Sequence, residues 1–214
     1  MRRIPGGLSA VILLVFMLAF AGCGGGRTIH TASILSDWYS DGDIGYLSGD
    51  PTPYIVTQGW DQGVSCLYFG FDWYDSDREY QAFLTFPLDG STGDAVPLGA
   101  SIESAILIVN IRELDVPWVR TNLELVKYTP GGLLYTDFYK APLAARNGVD
   151  FYQSDEGFDV AIDVTSLMIE AQALGLPDFQ VRFRVTSTIT GGLASFEDEK
   201  LISFTAPLLV VNYY

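Results

Sequence analysis

The chain has 214 residues, 49% of them apolar, and carries 26 acids against 12 Lys and Arg for a formal charge of −14. That acidity excludes a general nucleic-acid binder, whose phosphate contacts need clustered cations, and sets the surface against anionic lipids and strongly anionic polymers. Two cysteines and one histidine exclude a disulfide framework and a Cys/His zinc site.

The chain opens on Met1-Arg2-Arg3, an apolar run over 8–20, and then small residues. A basic start, a short apolar middle and small residues before a cut site make a secretory signal peptide. The run is shorter than the ~20 residues that a membrane-spanning helix needs. Phe20-Ala21-Gly22-Cys23 resembles the lipobox of bacterial lipoproteins, with Phe20 where Leu is usual. The resemblance implies cleavage before Cys23, a diacylglyceryl thioether on Cys23, and acylation (palmitate) of the new amino terminus. Several acyl chains anchor stably where one is marginal. Residues 1–22 are thus expected to be a signal peptide, 23–31 a lipidated, Gly-rich tether, and 32–214 one folded domain. Cleavage takes the formal charge to −16, because the removed segment holds two arginines and no acid. Gly24 is not the Asp that retains some lipoproteins in the inner membrane, so the expected location is the outer membrane or cell surface.

Within the domain, Asp41-Gly42-Asp43 has the D-x-D spacing of calcium loops. Cys66, in Ser65-Cys66-Leu67-Tyr68-Phe69, reads as a small buried apolar residue. The stretch Gly70-Phe71-Asp72-Trp73-Tyr74-Asp75-Ser76-Asp77 is an aromatic loop, with a second D-x-D at its end. Residues 80–86 form a predicted strand stopped by Pro87, and 101–114 a long central one. Residues 116–120 form a second aromatic loop around Trp118. Strands follow over 123–128, ended by Pro130-Gly131-Gly132, and over 158–164. Leu167, Met168, Ala171 and Leu174 have helical spacing, with Thr165 or Ser166 as cap and Gly175 and Pro177 as stop. Over 179–188, Val181, Phe183 and Val185 alternate with Arg182, Arg184 and Thr186, and 208–214 closes the chain as a strand. Many strands with one short helix predict an all-β, two-sheet antiparallel β-sandwich of jelly-roll type.

Three pieces fall in a recognisable order. Arg78-Glu79-Tyr80-Gln81-Ala82-Phe83-Leu84-Thr85-Phe86-Pro87 precedes Ala100-Ser101-Ile102-Glu103-Ser104-Ala105. Phe158-Asp159-Val160-Ala161-Ile162-Asp163-Val164-Thr165 precedes the helix. Ala194-Ser195-Phe196-Glu197-Asp198 precedes Ala206-Pro207-Leu208-Leu209-Val210-Val211-Asn212-Tyr213. Together these resemble the DNRLRE-type domain, similar to carbohydrate-binding modules of secreted and surface proteins. The resemblance spans about 29–214 and implies a jelly roll. The chain departs from the family in having Ala171-Gln172-Ala173-Leu174 where a Trp is usual, and in the order of residues around Ser195.

Catalysis finds little support. His30, the one histidine, falls in the expected tether, whereas a nucleophile's base must be held inside the fold. The enzymatic form left open is a lyase or hydrolase using Tyr, Arg and carboxylates. For binding, flat aromatic faces with a few polar groups suit sugars, and Trp73, Tyr74 and Trp118 are the leading candidates, with Trp38-Tyr39 and Trp60-Asp61 behind them. The same rings serve equally to close the ends of a sandwich. Arg182 and Arg184 share a strand face, either to orient carboxylates of a ligand or to pair with acids on neighbouring strands. Asp41, Asp43, Asp75 and Asp77 are the candidate ligands of a structural calcium, or ordinary turn residues. The expected function is a lipid-anchored, non-catalytic module that binds polysaccharide or another glycan. The alternative is an assembly lipoprotein that docks protein partners. Aromatics exposed together favour the first, and aromatics buried in the core favour the second.

Overall fold

The computed structural model describes residues 27–58, 65–73, 77–186, 192–198 and 205–214. The signal peptide, Cys23, Trp60, Tyr74 and Asp75 lie outside the described residues. Among the described residues, twelve strands form one curled antiparallel sheet. In chain order they are β1 His30–Leu35, β2 Gly42–Tyr46, β3 Tyr54–Gln58, β4 Cys66–Asp72, β5 Arg78–Pro87, β6 Ile102–Leu114, β7 Trp118–Leu125, β8 Ala144–Tyr152, β9 Asp159–Asp163, β10 Asp178–Val185, β11 Leu193–Glu197 and β12 Leu208–Tyr213. The strand order is β1-β12-β6-β11-β4-β5-β10-β7-β8, with β2 and β3 branching from β5 and β9 from β6. Among the described residues, one α-helix, α1 Thr165–Ala173, and two 3₁₀ turns accompany the strands.

The long predicted strand is β6. Its Ala105, Leu107, Val109 and Ile111 are buried while the residues between them are half-exposed, the period-two pattern of a strand covered on one face. β11 joins the two halves of the sheet, pairing with β4 on one edge and β6 on the other, with a register shift at Ser195/Phe196. At the end of that pairing Gly70 sits at φ +122°, and a Cβ there would lie 2.1 Å from the carbonyl oxygen of Gly192. Only glycine fits a backbone approach this close.

The main core packs the rings of Phe69, Phe151, Phe183 and Phe196 together, Phe69–Phe151 edge to face and the other pairs tilted. Ring centroids stand 5.1 Å apart for Phe69–Phe151 and for Phe183–Phe196, inside the range where aromatic pairs add to plain burial. A second, smaller core of Ile44, Phe83, Val126, Tyr128, Leu133 and Phe138 lies on the other face of β5 and β10, under the segment 129–143. β5 and β10 are therefore buried on both faces.

α1 forms where the spacing of Leu167, Met168 and Ala171 predicts it, and all three are buried. Thr165 is its first residue rather than its cap. The Asp163 carboxylate accepts from Thr165 N at 2.9 Å and Thr165 Oγ1 at 2.6 Å. The stop is a Schellman arrangement at Gly175, φ +61°. Gly175 N donates to Gln172 and Leu176 N to Ala171. Two segments differ from their sequence reading. Trp118 to Arg120, expected in a loop, begin β7, because Trp118 pairs with Tyr152 of β8. His30 and Thr31, expected in the tether, begin β1 and pair with Tyr213 and Asn212.

Candidate functional site

Arg182 alternates with core residues on β10, so a polar outward position is expected for it. The structure instead buries it to 1% exposure, opposite Glu124 of β7 at 4%. Burying a guanidinium is tolerable only with full pairing, and here all five N–H donors are used. Nε donates to Glu124 Oε2 at 2.9 Å, and Nη2 donates to the same oxygen. Nη1 donates to the carbonyls of Asp137 (3.0 Å) and Phe138 (2.9 Å), and Nη2 to that of Lys140 (3.0 Å). The guanidinium also lies 5.9 Å from the Phe83 ring centroid. The turn over Tyr135–Tyr139 is thus held from below by one side chain. Asp137 ties it internally, accepting from Leu134 N and Lys140 Nζ, both at 2.9 Å.

That turn presents Tyr135 (55% exposed) and Tyr139 (62%) outward, above buried Phe138. Beside them stand Tyr46 and Tyr54, a cross-strand pair of the β2–β3 hairpin. Ring centroids are 5.1 Å apart for Tyr46–Tyr54, 5.2 Å for Tyr54–Tyr135 and 5.9 Å for Tyr46–Tyr139. The phenol of Tyr139 is held above its ordinary pKa by the hydrogen bond with Tyr54 first, then by burial and the bond with Tyr46. The Tyr139 phenol thus faces those of Tyr54 and Tyr46. The hairpin is pinned as the turn is, since buried Arg78 sends Nη1 to the carbonyls of Pro53 at 3.1 Å and Gly45 at 3.5 Å. Two guanidiniums beneath hold the two pieces that carry the four tyrosines.

The residues predicted from sequence fall elsewhere. Trp73 is half-exposed at the end of β4, packed on Phe71 at 4.3 Å. Trp118 is exposed on β7 with the Arg120 guanidinium 5.5 Å from its ring centroid and exposed Tyr152 opposite. Arg120 is engaged with Asp150 through two bonds of 2.7 and 2.8 Å, and those bonds hold the Asp150 carboxyl below its usual range. Arg184 is exposed, with Nη1 3.7 Å from Glu124 Oε1. Both arginines of β10 therefore face an acid of the neighbouring strand, and Arg182 has no surface to offer a ligand.

Both aspartates of the first D-x-D are buried, Asp41 in the turn just before β2 and Asp43 within β2. Asp41 Oδ1 accepts from Thr85 N at 2.7 Å. Asp43 Oδ2 accepts from Tyr68 N at 3.0 Å, and burial pushes its carboxyl up to about 7. Asp77 is exposed at φ 51°. Among the described residues, no three His, Cys, Asp or Glu side chains gather as a metal cluster, and no helix is long and apolar enough to cross a membrane.

The tyrosine group was not anticipated. Its one sequence signal is the density of rings in Tyr135-Thr136-Asp137-Phe138-Tyr139. Tyr46 and Tyr54 join it only through the hairpin. Compared with models of protein families and with curated proteins, the chain finds no match.

Proposed function

We propose that this chain is a lipid-anchored, non-catalytic module that binds a glycan, and that the four-tyrosine platform is its binding surface. The observation that carries the reading is the platform itself: exposed Tyr135 and Tyr139 on one pinned support, packed ring to ring with half-buried Tyr46 and Tyr54 on the other. Sugar rings offer apolar C–H faces to aromatics and hydroxyls to polar groups. A rigid surface also spares the ligand the ordering cost that loops impose. The nearby charges, Arg182–Glu124 and Lys140–Asp137, are already paired, which favours a neutral polysaccharide over an acidic one. The curled sheet fits a two-sheet sandwich of jelly-roll type, since β1, β12, β6 and β9 and β5, β10, β7 and β8 all contribute side chains to one core. Export and acylation at Cys23 rest on the amino-terminal sequence.

The test is affinity electrophoresis of the full-length protein through neutral and acidic polysaccharides. Retardation by a neutral polymer, lost in Tyr135→Ala and Tyr139→Ala but kept in Trp118→Ala, is the expected result. No retardation by any polymer overturns the reading. The docking alternative is favoured by one observation. Trp118, Arg120 and Tyr152 stand together on the open β7–β8 face, and Trp, Tyr and Arg dominate protein–protein hot spots. A stoichiometric protein partner lost in Trp118→Ala, with no glycan retention, would establish it.

A further inference from the structure

Away from the platform, three chain segments meet at a group of buried oxygens. The turn after β1 supplies Ser36, Asp37 and Asp41, the end of β11 supplies Asp198, and β5 supplies the Thr85 backbone. Asp41 is 0% exposed and Asp198 1%. The charged groups acting on these two carboxyls are each other and Asp37. No Lys or Arg balances them among the described residues. Two carboxylates cannot be buried side by side as bare anions, because each loses hydration worth several kcal/mol.

A second observation is independent of the acids. Ser36 is 8% exposed and stands close enough to both carboxyls to favour their charged forms, yet its Oγ completes no hydrogen bond of good geometry. Asp41 Oδ2 and Asp198 Oδ2 likewise lack a well-formed hydrogen bond, although the two carboxyls lie within reach of each other. Buried polar atoms are nearly always satisfied, and three unsatisfied oxygens in one place, with no donor among them but a hydroxyl, ask for a cation. We propose that Asp41, Asp198 and Ser36 form an interior binding site for a hard divalent cation of the calcium type. The two carboxylates match its charge, and hydroxyl and carbonyl oxygens are ordinary calcium ligands. Magnesium fits less well, since it keeps several waters and this site is closed to solvent. The cation would tie the turn after β1 to the end of β11, joining the amino-terminal strand to the strand that links the sheet halves.

The full-length protein, stripped with chelator, is melted with and without added calcium chloride, alongside Asp41→Asn, Asp198→Asn and Ser36→Ala. Calcium at a hundred times its dissociation constant should raise the melting temperature by about 5–10 °C. The rise should vanish in both Asn variants and need more calcium in Ser36→Ala. An unchanged wild-type melting temperature overturns the proposal. So does a full calcium response in Asp198→Asn. If calcium does nothing while Asp198→Asn melts higher than wild type at pH 8, the pair shares a proton instead, which also overturns it. None of these readouts depends on glycan binding, so the two proposals fail separately.

Discussion

Replacing Arg182 by Met should be among the most damaging single changes outside the apolar core. The substitution removes the charge and all five donors while keeping much of the stem's bulk. Glu124, 4% exposed, is left with only Arg184 at 3.7 Å, and the carbonyls of Asp137, Phe138 and Lys140 lose their common donor. Breaking a buried pair from one side costs about 3–5 kcal/mol, out of a total stability of about 5–15 kcal/mol. The assay is urea unfolding followed by circular dichroism, in a cycle with Glu124→Leu and the double variant. The double variant should recover the charge component but not the carbonyl component, giving a coupling above ~1 kcal/mol. A single-variant loss below ~1 kcal/mol, the level of an exposed pair, would refute the claim that Arg182 holds the turn. Polysaccharide retardation should weaken in Arg182→Met under conditions where it stays folded, although Arg182 touches no ligand.

Three further outcomes are expected. Asp43 is raised by burial to about 7, so the folded chain holds a proton that the unfolded chain releases near 4. In chelator, the contribution of Asp43 to stability should therefore fall by about 4 kcal/mol as pH rises from about 4 to 8, and Asp43→Asn should remove that part of the slope in urea titrations. Gly70→Ala forces a Cβ to 2.1 Å from the Gly192 carbonyl oxygen at φ +122°, and should lower the thermal midpoint or abolish soluble expression. Asp150→Asn breaks only an exposed pair with Arg120 and should change the urea midpoint little, within the range of surface ion pairs.

The sequence patterns read well where one face of an element is buried. β6, β12 and α1 announce themselves through the spacing of their apolar residues, because one-sided burial imposes that spacing. β8 does not: Ala144-Ala145-Arg146-Asn147-Gly148 has no apolar alternation, and the segment is a strand because β7 pairs with it. Arg182 was legible as a polar position on an alternating strand. Its burial was not, since the roof over it comes from 129–143, some 40 residues earlier in the chain. The platform was hidden for the same reason. Tyr46, Tyr54, Tyr135 and Tyr139 are brought together by pairing across strands and by two guanidiniums, neither of which leaves a local pattern.

The pairing of β1 with β12 sets how the domain responds to a pull. The strands are antiparallel, with His30 beside Tyr213 and Leu35 beside Leu208, so residues 30 and 213 leave the sheet at the same end. Tension between those two points loads the rungs one at a time, as in opening a zip, rather than all together in shear. Force arriving from the amino-terminal side would peel β1 first. The tyrosine platform, carried on β2, β3 and the turn over Tyr135–Tyr139, would stay assembled while that strand came away.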